Sequence, residues 1–273
     1  MSSIITTNLT KKYGDLTAVD DLNLSIESGE IFGLLGPNGA GKTTAIMMLS
    51  TLLKPTSGSA TVNGFDIVKQ PSRVRESIGI VFQDPSSDDT LTGYENLKLH
   101  ALMYDVPMKE IDARIEKVMT LVDLHDRTHD IVKKYSGGMR RRMEIARGLL
   151  HEPKVLFLDE PTIGLDPQTR EHMWHYIESL AKRLHMTIIL TTHYMEEAEG
   201  LCNRIAIIDH GKIAVLDTPA NLIASIGGDI SVKTHSIDMN DVFFHYTGRA
   251  IREEEGDEKG RMRSYTNVRQ NNK

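Results

Sequence analysis

The residues of this chain best suited to chemistry stand together in Gly36-Pro37-Asn38-Gly39-Ala40-Gly41-Lys42-Thr43-Thr44. They fit G-x-x-x-x-G-K-[ST], a loop that cradles nucleotide phosphates. Gly36, Gly39 and Gly41 permit backbone angles that a Cβ forbids, so amide N–H groups can approach a phosphate closely. With Pro37, Asn38, Ala40 and Thr44 they form an anion-binding nest at a helix N-terminus, where the dipole also favours negative charge. Lys42 is expected to reach the β- and γ-phosphates, and the Thr43 hydroxyl to ligate Mg²⁺. Kinases, GTPases, helicases and transport ATPases all use such a loop. Nucleotide binding follows from it; the reaction does not.

A second candidate set lies in Val155-Leu156-Phe157-Leu158-Asp159-Glu160-Pro161. An apolar run of this length is a strand buried on both faces, and ligands in α/β sheets bind beyond the carboxyl ends of such strands. Asp159 is placed there to hold Mg²⁺, directly or through water. Glu160 is placed to polarise an attacking water. Upstream, Ser136-Gly137-Gly138 opens a further helix and so offers a second anion-binding N-terminus.

The elements that must position these groups are legible as patterns. Ile31-Phe32-Gly33-Leu34-Leu35 is a buried strand leading into the glycine loop, and Thr44 to Leu49 continues as helix. Leu22, Leu24 and Ile26 alternate with Asn23 and Ser25 as in a half-buried strand. Asn63-Gly64 marks a hairpin turn within 60–67. Ile78 to Phe82 is another strand. From about 88 to 150 the period becomes helical, with Ile111, Ile115, Val118, Met119 and Val122 on one stripe. Strand and helix then alternate again: 155–158, a helix around 168–184, a strand over 187–190, a short helix after His193, and a hairpin over 205–216. The implied fold is an α/β core interrupted by a helical insertion.

Composition narrows the function classes. The chain has 273 residues, 40% of them hydrophobic, enough for one large or two smaller packed units. Its net charge of −6 gives no electrostatic case for a nucleic-acid partner, and none is expected. The single cysteine, Cys202, precludes an intramolecular disulfide and suits a reducing compartment. Met1 to Thr7 lacks the basic and apolar regions of a signal peptide. No apolar run approaches the roughly 20 residues that span a bilayer. If the chain serves transport, the pore belongs to another chain.

The ordered set of motifs resembles an ABC-type ATP-binding cassette over roughly residues 3–226. Tyr135-Ser136-Gly137-Gly138-Met139 is similar to the family's signature sequence, with tyrosine and methionine in place of the commoner leucine and glutamine. By this resemblance Gln83, in Val81-Phe82-Gln83-Asp84-Pro85, is the glutamine that senses Mg²⁺ and water and links the core to the helical insertion. Asp166, in Gly164-Leu165-Asp166-Pro167, is the D-loop carboxylate. His193, in Thr191-Thr192-His193, is the switch histidine at the γ-phosphate. Tyr13, in Lys11-Lys12-Tyr13-Gly14, is the aromatic that stacks on adenine. The resemblance implies a P-loop NTPase core carrying an antiparallel β subdomain and the helical insertion, with ATP and Mg²⁺ as ligands.

The surroundings of Thr162 to Arg170 and of Tyr194 to Glu199, together with Asp241-Val242-Phe243-Phe244-His245-Tyr246-Thr247-Gly248-Arg249, resemble the daunorubicin-resistance subgroup of exporter ATPases. This implies a hydrolysing subunit, peripheral on the cytoplasmic face of a membrane. It would pair with a second cassette, as a homodimer or a heterodimer closed by ATP, and drive a separate membrane permease. Within the family, ATP lies between the loop at Lys42 of one cassette and Ser136-Gly137-Gly138 of the other. A soluble cassette uncoupled from transport and an importer subunit are the alternatives.

The expected division is a cassette over 1–226, a short C-terminal extension over 227–251 and a mobile polar tail over 252–273. Only about ten residues separate Gly228 from Asp238, fewer than such exporters usually carry. The apolar patch from Val242 to Tyr246 is expected to dock on the cassette or on a dimer mate.

Overall fold

A computed structural model describes residues 2–226 and 238–248. The tail over 252–273 and most of the joint between cassette and final motif lie outside them. Two sheets organise the chain. Strands β1 (Ser2–Tyr13), β2 (Leu16–Glu27), β4 (Ser57–Val62) and β5 (Phe65–Asp66) form an antiparallel sheet in the order β2-β1-β4-β5. In β2 the alternation is as expected: Leu22, Leu24 and Ile26 are buried, while Asn23 and Ser25 are exposed. Asn63-Gly64 turns β4 into β5, pairing Val62 with Phe65.

The second sheet runs β10-β9-β3-β8-β7-β6. Its strands are β3 (Ile31–Leu35), β6 (Ile78–Val81), β7 (Val155–Asp159), β8 (Thr187–Thr192), β9 (Arg204–Asp209) and β10 (Lys212–Asp217). All neighbours are parallel except β9 and β10, which form the expected hairpin. Parallel strands are covered on both faces, so β3, β7 and β8 are buried at every position. Within β7, Val155 and Phe157 pack with the antiparallel sheet and helix α1 (Lys42–Leu49), while Leu156 and Leu158 pack on the opposite face.

That opposite face carries most of the helices. The insertion supplies α3 (Gly93–Met103), α4 (Met108–Leu121) and α5 (Gly137–Leu149). Helix α3 starts at a capping box, with the Thr92 hydroxyl accepting from the Glu95 amide and the Glu95 carboxylate accepting from Thr92. Helix α4 buries Ile111, Ile115, Val118 and Met119 on one stripe. After the insertion come α6 (Pro167–Leu184), α7 (Met195–Leu201), α8 (Pro219–Ile226) and α9 (Met239–Thr247), while α2 (Pro71–Ser77) precedes β6.

The final motif forms helix α9, opened by a capping box at Asp238 and Asp241 and closed by Gly248 in the left-handed region. It rests on α7, α8 and β10 of its own chain. Met239, Val242 and Phe243 are buried there, and Tyr246 packs at the margin. Phe244 differs from expectation. It is 58% exposed, because a helix places adjacent residues about 100° apart and only one of the two phenylalanines can face the core.

Candidate nucleotide site

Register explains why distant motifs meet. Leu35 pairs with Thr192, Asp159 with Thr191, and Val81 with Leu158. The carboxyl ends of the adjacent strands β3, β8, β7 and β6 therefore form one row. From that row issue the glycine loop, His193, Asp159-Glu160 and Gln83, in the place where open α/β sheets bind ligands.

Two of the three loop glycines have no room for a side chain. A Cβ on Gly36 would stand 2.3 Å from the Ile208 carbonyl oxygen. Gly41, at φ +108°, caps α1 in a conformation closed to other residues, and a Cβ there would meet the Ala18 carbonyl oxygen at 2.4 Å. Lys42 is buried and folded along its own loop, its ammonium donating to the carbonyls of Gly36 at 2.8 Å and Pro37 at 3.2 Å. The same ammonium lies 3.2 Å from Glu160 Oε1.

Glu160 is the centre of the arrangement. Its backbone is left-handed, with φ 47°, an unusual state for a residue with a side chain. Its amide donates to Thr191 at both the carbonyl and the hydroxyl, which fixes that turn. His193 Nδ1 stands 2.7 Å from Glu160 Oε2. An ionised carboxylate only accepts, so the imidazole proton resides on Nδ1. Burial works to raise the Glu160 carboxyl, but the hydrogen bond from His193 and the charge of Lys42 outweigh it and hold the group below the ordinary range. The carboxylate is thus kept ionised between two donors.

Asp159 is buried and accepts from the Thr191 hydroxyl and, at 3.2 Å, from the Thr43 hydroxyl. A carboxylate beside a hydroxyl is a set of hard oxygen donors. Among the described residues no three His, Cys, Asp or Glu side chains cluster as a metal cage. Such a site suits Mg²⁺, which takes one or two protein ligands and completes its shell with water and substrate phosphate.

The remaining expected residues lie apart from this cluster. Gln83 is exposed just beyond the end of β6. Asp166 is exposed and caps α6, accepting from the Thr169 amide at 3.0 Å and hydroxyl at 2.6 Å; these bonds hold its carboxyl below the usual range. Tyr13 stands 48% exposed at the tip of the β1–β2 hairpin, with Lys11 Nζ 5.1 Å from its ring centroid. Ser136 and Gly137 are exposed and Gly138 half-buried at the start of α5. The Ser136 hydroxyl accepts from its own Met139 amide at 3.3 Å. Tyr135, the unusual first residue of that motif, is buried and anchors it by donating to the Arg127 carbonyl at 2.8 Å.

Sequence reasoning missed two charged residues beside the site. Arg141 is buried on α5, and its guanidinium donates to the carbonyls of Phe82, Asp159 and Pro161. Nothing in Arg140-Arg141-Arg142 marks the middle arginine as the inward one except helical phase against buried Ile145. Glu197, on α7, is fully buried, accepting from the Thr162 hydroxyl at 2.9 Å and the Trp174 indole at 3.0 Å. Burial pushes its carboxyl upward. It stiffens the segment following Glu160 from beneath.

A loop of the phosphate-binding pattern, a buried ionised carboxylate and an aspartate–hydroxyl pair on one row of strand ends are the parts of a nucleotide hydrolase. The pattern of the ABC transporter family matches residues 19–163, and the chain belongs to that family. The linearmycin resistance ATP-binding protein LnrL of Bacillus subtilis (strain 168) is 42% identical over 236 residues, 86% of this chain and 76% of that protein. The daunorubicin/doxorubicin resistance ATP-binding protein DrrA of Streptomyces peucetius is 41% identical over 84% of this chain and 69% of its own length. Among solved structures, cbiO1 of Clostridium perfringens, part of the ABC transporter complex cbiONQ, superposes with a TM-score of 0.76 at 30% identity, covering 82% of this chain and 91% of that one. An ATP-binding cassette in a dimeric post-hydrolysis state with ADP and Pi gives 0.69 at 27% identity, covering 79% and 98%.

The fold is accordingly an ABC ATPase cassette: a P-loop core with an antiparallel β subdomain and a helical insertion. The chain binds and hydrolyses ATP as the ATPase subunit of an ABC exporter. Cassettes of this kind work as dimers with membrane permease partners. Among the described residues no helix is long and apolar enough to cross a membrane.

Proposed function

We propose that two copies of this chain close head to tail on ATP and, through a membrane permease, convert that closure into export. The observation that carries the catalytic part is Glu160 held ionised between Lys42 and His193. In the bound state Lys42 turns from its loop carbonyls toward the β- and γ-phosphates, and the loop amides take the remaining phosphate oxygens. Release of the Lys42 ion pair leaves Glu160 Oε1 to accept a proton from the attacking water. His193 keeps the carboxylate oriented through Oε2 and lends its ring to the γ-phosphate. Thr43, Asp159 and Gln83 would hold Mg²⁺, and the ion would supply charge neutralisation at the phosphates.

Tyr13 stacks on the adenine, a contact that ring faces make with any base. Ser136, Gly137 and Gly138 bind the γ-phosphate of the opposite copy, and Asp166 lies at the same seam. This chain carries each motif once, so two symmetric sites require a pair, and a homodimer supplies them. ATP then binds the closed state better than the open one, which is what lets a ligand drive the change. The chain works at the cytoplasmic face of the membrane, and the permease holds the cargo contacts.

Size-exclusion chromatography of the Glu160→Gln variant tests this reading. A dimer that forms with ATP and Mg²⁺ and dissociates on their removal is expected. A species that stays monomeric at saturating ATP refutes closure by nucleotide.

A further inference from the structure

Helix α5 carries two functions on one rod. Its first turn presents Ser136, Gly137 and Gly138 outward. Its second turn reaches inward. Arg141 Nε donates to Pro161 O at 2.7 Å, one terminal nitrogen to Phe82 O at 2.6 Å, and the other to Asp159 O at 2.9 Å. Each accepting carbonyl adjoins a candidate site residue: Phe82 precedes Gln83, Asp159 is itself a candidate Mg²⁺ ligand, and Pro161 follows Glu160.

About one turn further along the same face, Glu144 accepts from the Ser86 amide at 3.2 Å, the Ser86 hydroxyl at 3.1 Å and the Ser87 amide at 2.9 Å. The segment around Gln83 is therefore gripped on both flanks by α5, by a donor before it and an acceptor after it. Arg147, one turn later, ties the Glu144 carboxylate and the Ser86 hydroxyl together.

The chemistry of the grip is specific. Arg141 is only 8% exposed, and a buried charge is costly unless it is paired and hydrogen-bonded. Burial lowers its pKa to about 10, with the Glu144 and Asp159 carboxylates opposing that shift, so the fork stays charged at neutral pH. A planar guanidinium can address three carbonyls from two segments at fixed angles; an ammonium or an amide cannot match that set.

We propose that Arg141 is a positioning residue that couples the two nucleotide sites of the dimer. The inference rests on the dimer reading above. ATP bound in one site engages Ser136 to Gly138, at the outer end of α5. Any displacement of that helix carries Arg141 and Glu144, and with them the backbone on either side of Gln83, Asp159 and Glu160 in the other site. Occupancy of one site thereby sets the alignment of the hydrolytic groups in its neighbour.

Turnover of the purified chain as a function of ATP concentration, alongside affinity for a fluorescent ATP analogue, tests this. The parental chain should show a Hill coefficient above 1. Arg141→Gln should bind the analogue within about twofold of the parent, lose roughly tenfold in kcat, in the range of allosteric coupling effects, and fall to a Hill coefficient of 1. Arg141→Lys, which keeps the charge and loses the fork, should also fall to 1 with a smaller loss of kcat; it decides the matter if thermal melts show that the glutamine variant does not fold. Parental cooperativity in the folded variant overturns the inference, as does a fall in kcat with the Hill coefficient unchanged, or a parental coefficient of 1. If Glu160→Gln still dimerises on ATP in any of those cases, the dimer reading stands and only the role of Arg141 is lost.

Discussion

The two phosphate-binding ends of this chain are built in opposite ways. At the glycine loop every charged group already has a partner within the chain: Lys42 with Gly36, Pro37 and Glu160, Glu160 with His193, and Asp159 with Thr43 and Thr191. These groups are buried. The signature end is open. Ser136 and Gly137 face solvent, the first turn of α5 carries no acidic residue to offset its dipole, and the serine hydroxyl serves only its own helix. On the proposed reading the first end is the hydrolytic centre, with its charged groups paired in advance. On the same reading the second is one half of a site that a second copy completes. A catalytic centre profits from rigid pre-pairing, while a surface that must close and reopen around a nucleotide profits from having little to break.

The sharpest way to break this comparison is at Glu160. Glu160→Gln keeps the size of the side chain but replaces the proton acceptor, so turnover should fall by roughly 10²- to 10⁴-fold, the usual worth of a general base. ATP affinity should remain near the parental value. A phosphate-release assay beside a nucleotide titration checks both, and parental turnover would remove Glu160 from the mechanism. The same substitution has a signature in pH. The Glu160 carboxyl sits below the ordinary glutamate value of 4.5 in the folded chain, so its contribution to stability is fully present above about pH 4.5 and is lost as pH falls through the lower folded-state value. Melting curves taken between pH 3 and 6 should show this acid limb in the parent and its absence in Glu160→Gln. Parallel curves would mean that the Lys42 and His193 partners do not hold the carboxylate ionised.

Lys42→Ala should have the next largest effect. It removes charge-assisted contacts of about 1.5–3 kcal/mol, so affinity for ATP should weaken by roughly tenfold to a hundredfold. Fluorescence titration with an ATP analogue reads this directly. Unchanged affinity would show that the ammonium stays on the Gly36 and Pro37 carbonyls when nucleotide is bound.

Much of the prepared end was legible in the sequence, because its determinants are local. A buried parallel strand announces itself as an unbroken apolar run, and the residues that follow it must then lie at the sheet edge. That is how Lys42, Thr43, Asp159 and Glu160 could be placed near one another before any register was known. What was not legible is helical phase on a charged face. Arg140, Arg141 and Arg142 look alike as letters; only the packing of α5 against β6 turns the middle one inward. Glu196 and Glu197 pose the same problem on α7, where Glu197 is buried and Glu196 exposed. Phe243 and Phe244 repeat it on α9. Pairing across the chain was also invisible: nothing before the fold tells that Glu144 holds the segment after Gln83, or that His193 bonds to Glu160 in particular.

The smallest predicted effect tests the open end alone. Gly137 begins α5, and a Cβ added there would meet only the Leu165 side chain, at an ordinary contact distance of 3.5 Å. Gly137→Ala is therefore harmless to the isolated chain. It should melt at the parental temperature or slightly above, since alanine favours helix over glycine by up to about 1 kcal/mol. It should also bind ATP at the glycine loop with parental affinity. Gly138 would not serve, because a Cβ there comes within 2.8 Å of the Thr169 methyl and disturbs the chain itself. If a nucleotide from a second copy must approach the Gly137 backbone, the added methyl should interfere only in the closed dimer. Turnover should drop by about tenfold, or about 1.4 kcal/mol at the barrier. ATP-driven dimerisation in the Glu160→Gln background should need correspondingly more ATP. The discriminating result is the combination of intact folding and monomer affinity with impaired closure. Parental turnover and closure in Gly137→Ala would mean that no nucleotide packs against this helix end, and the comparison between a prepared end and an end completed by a partner would fail.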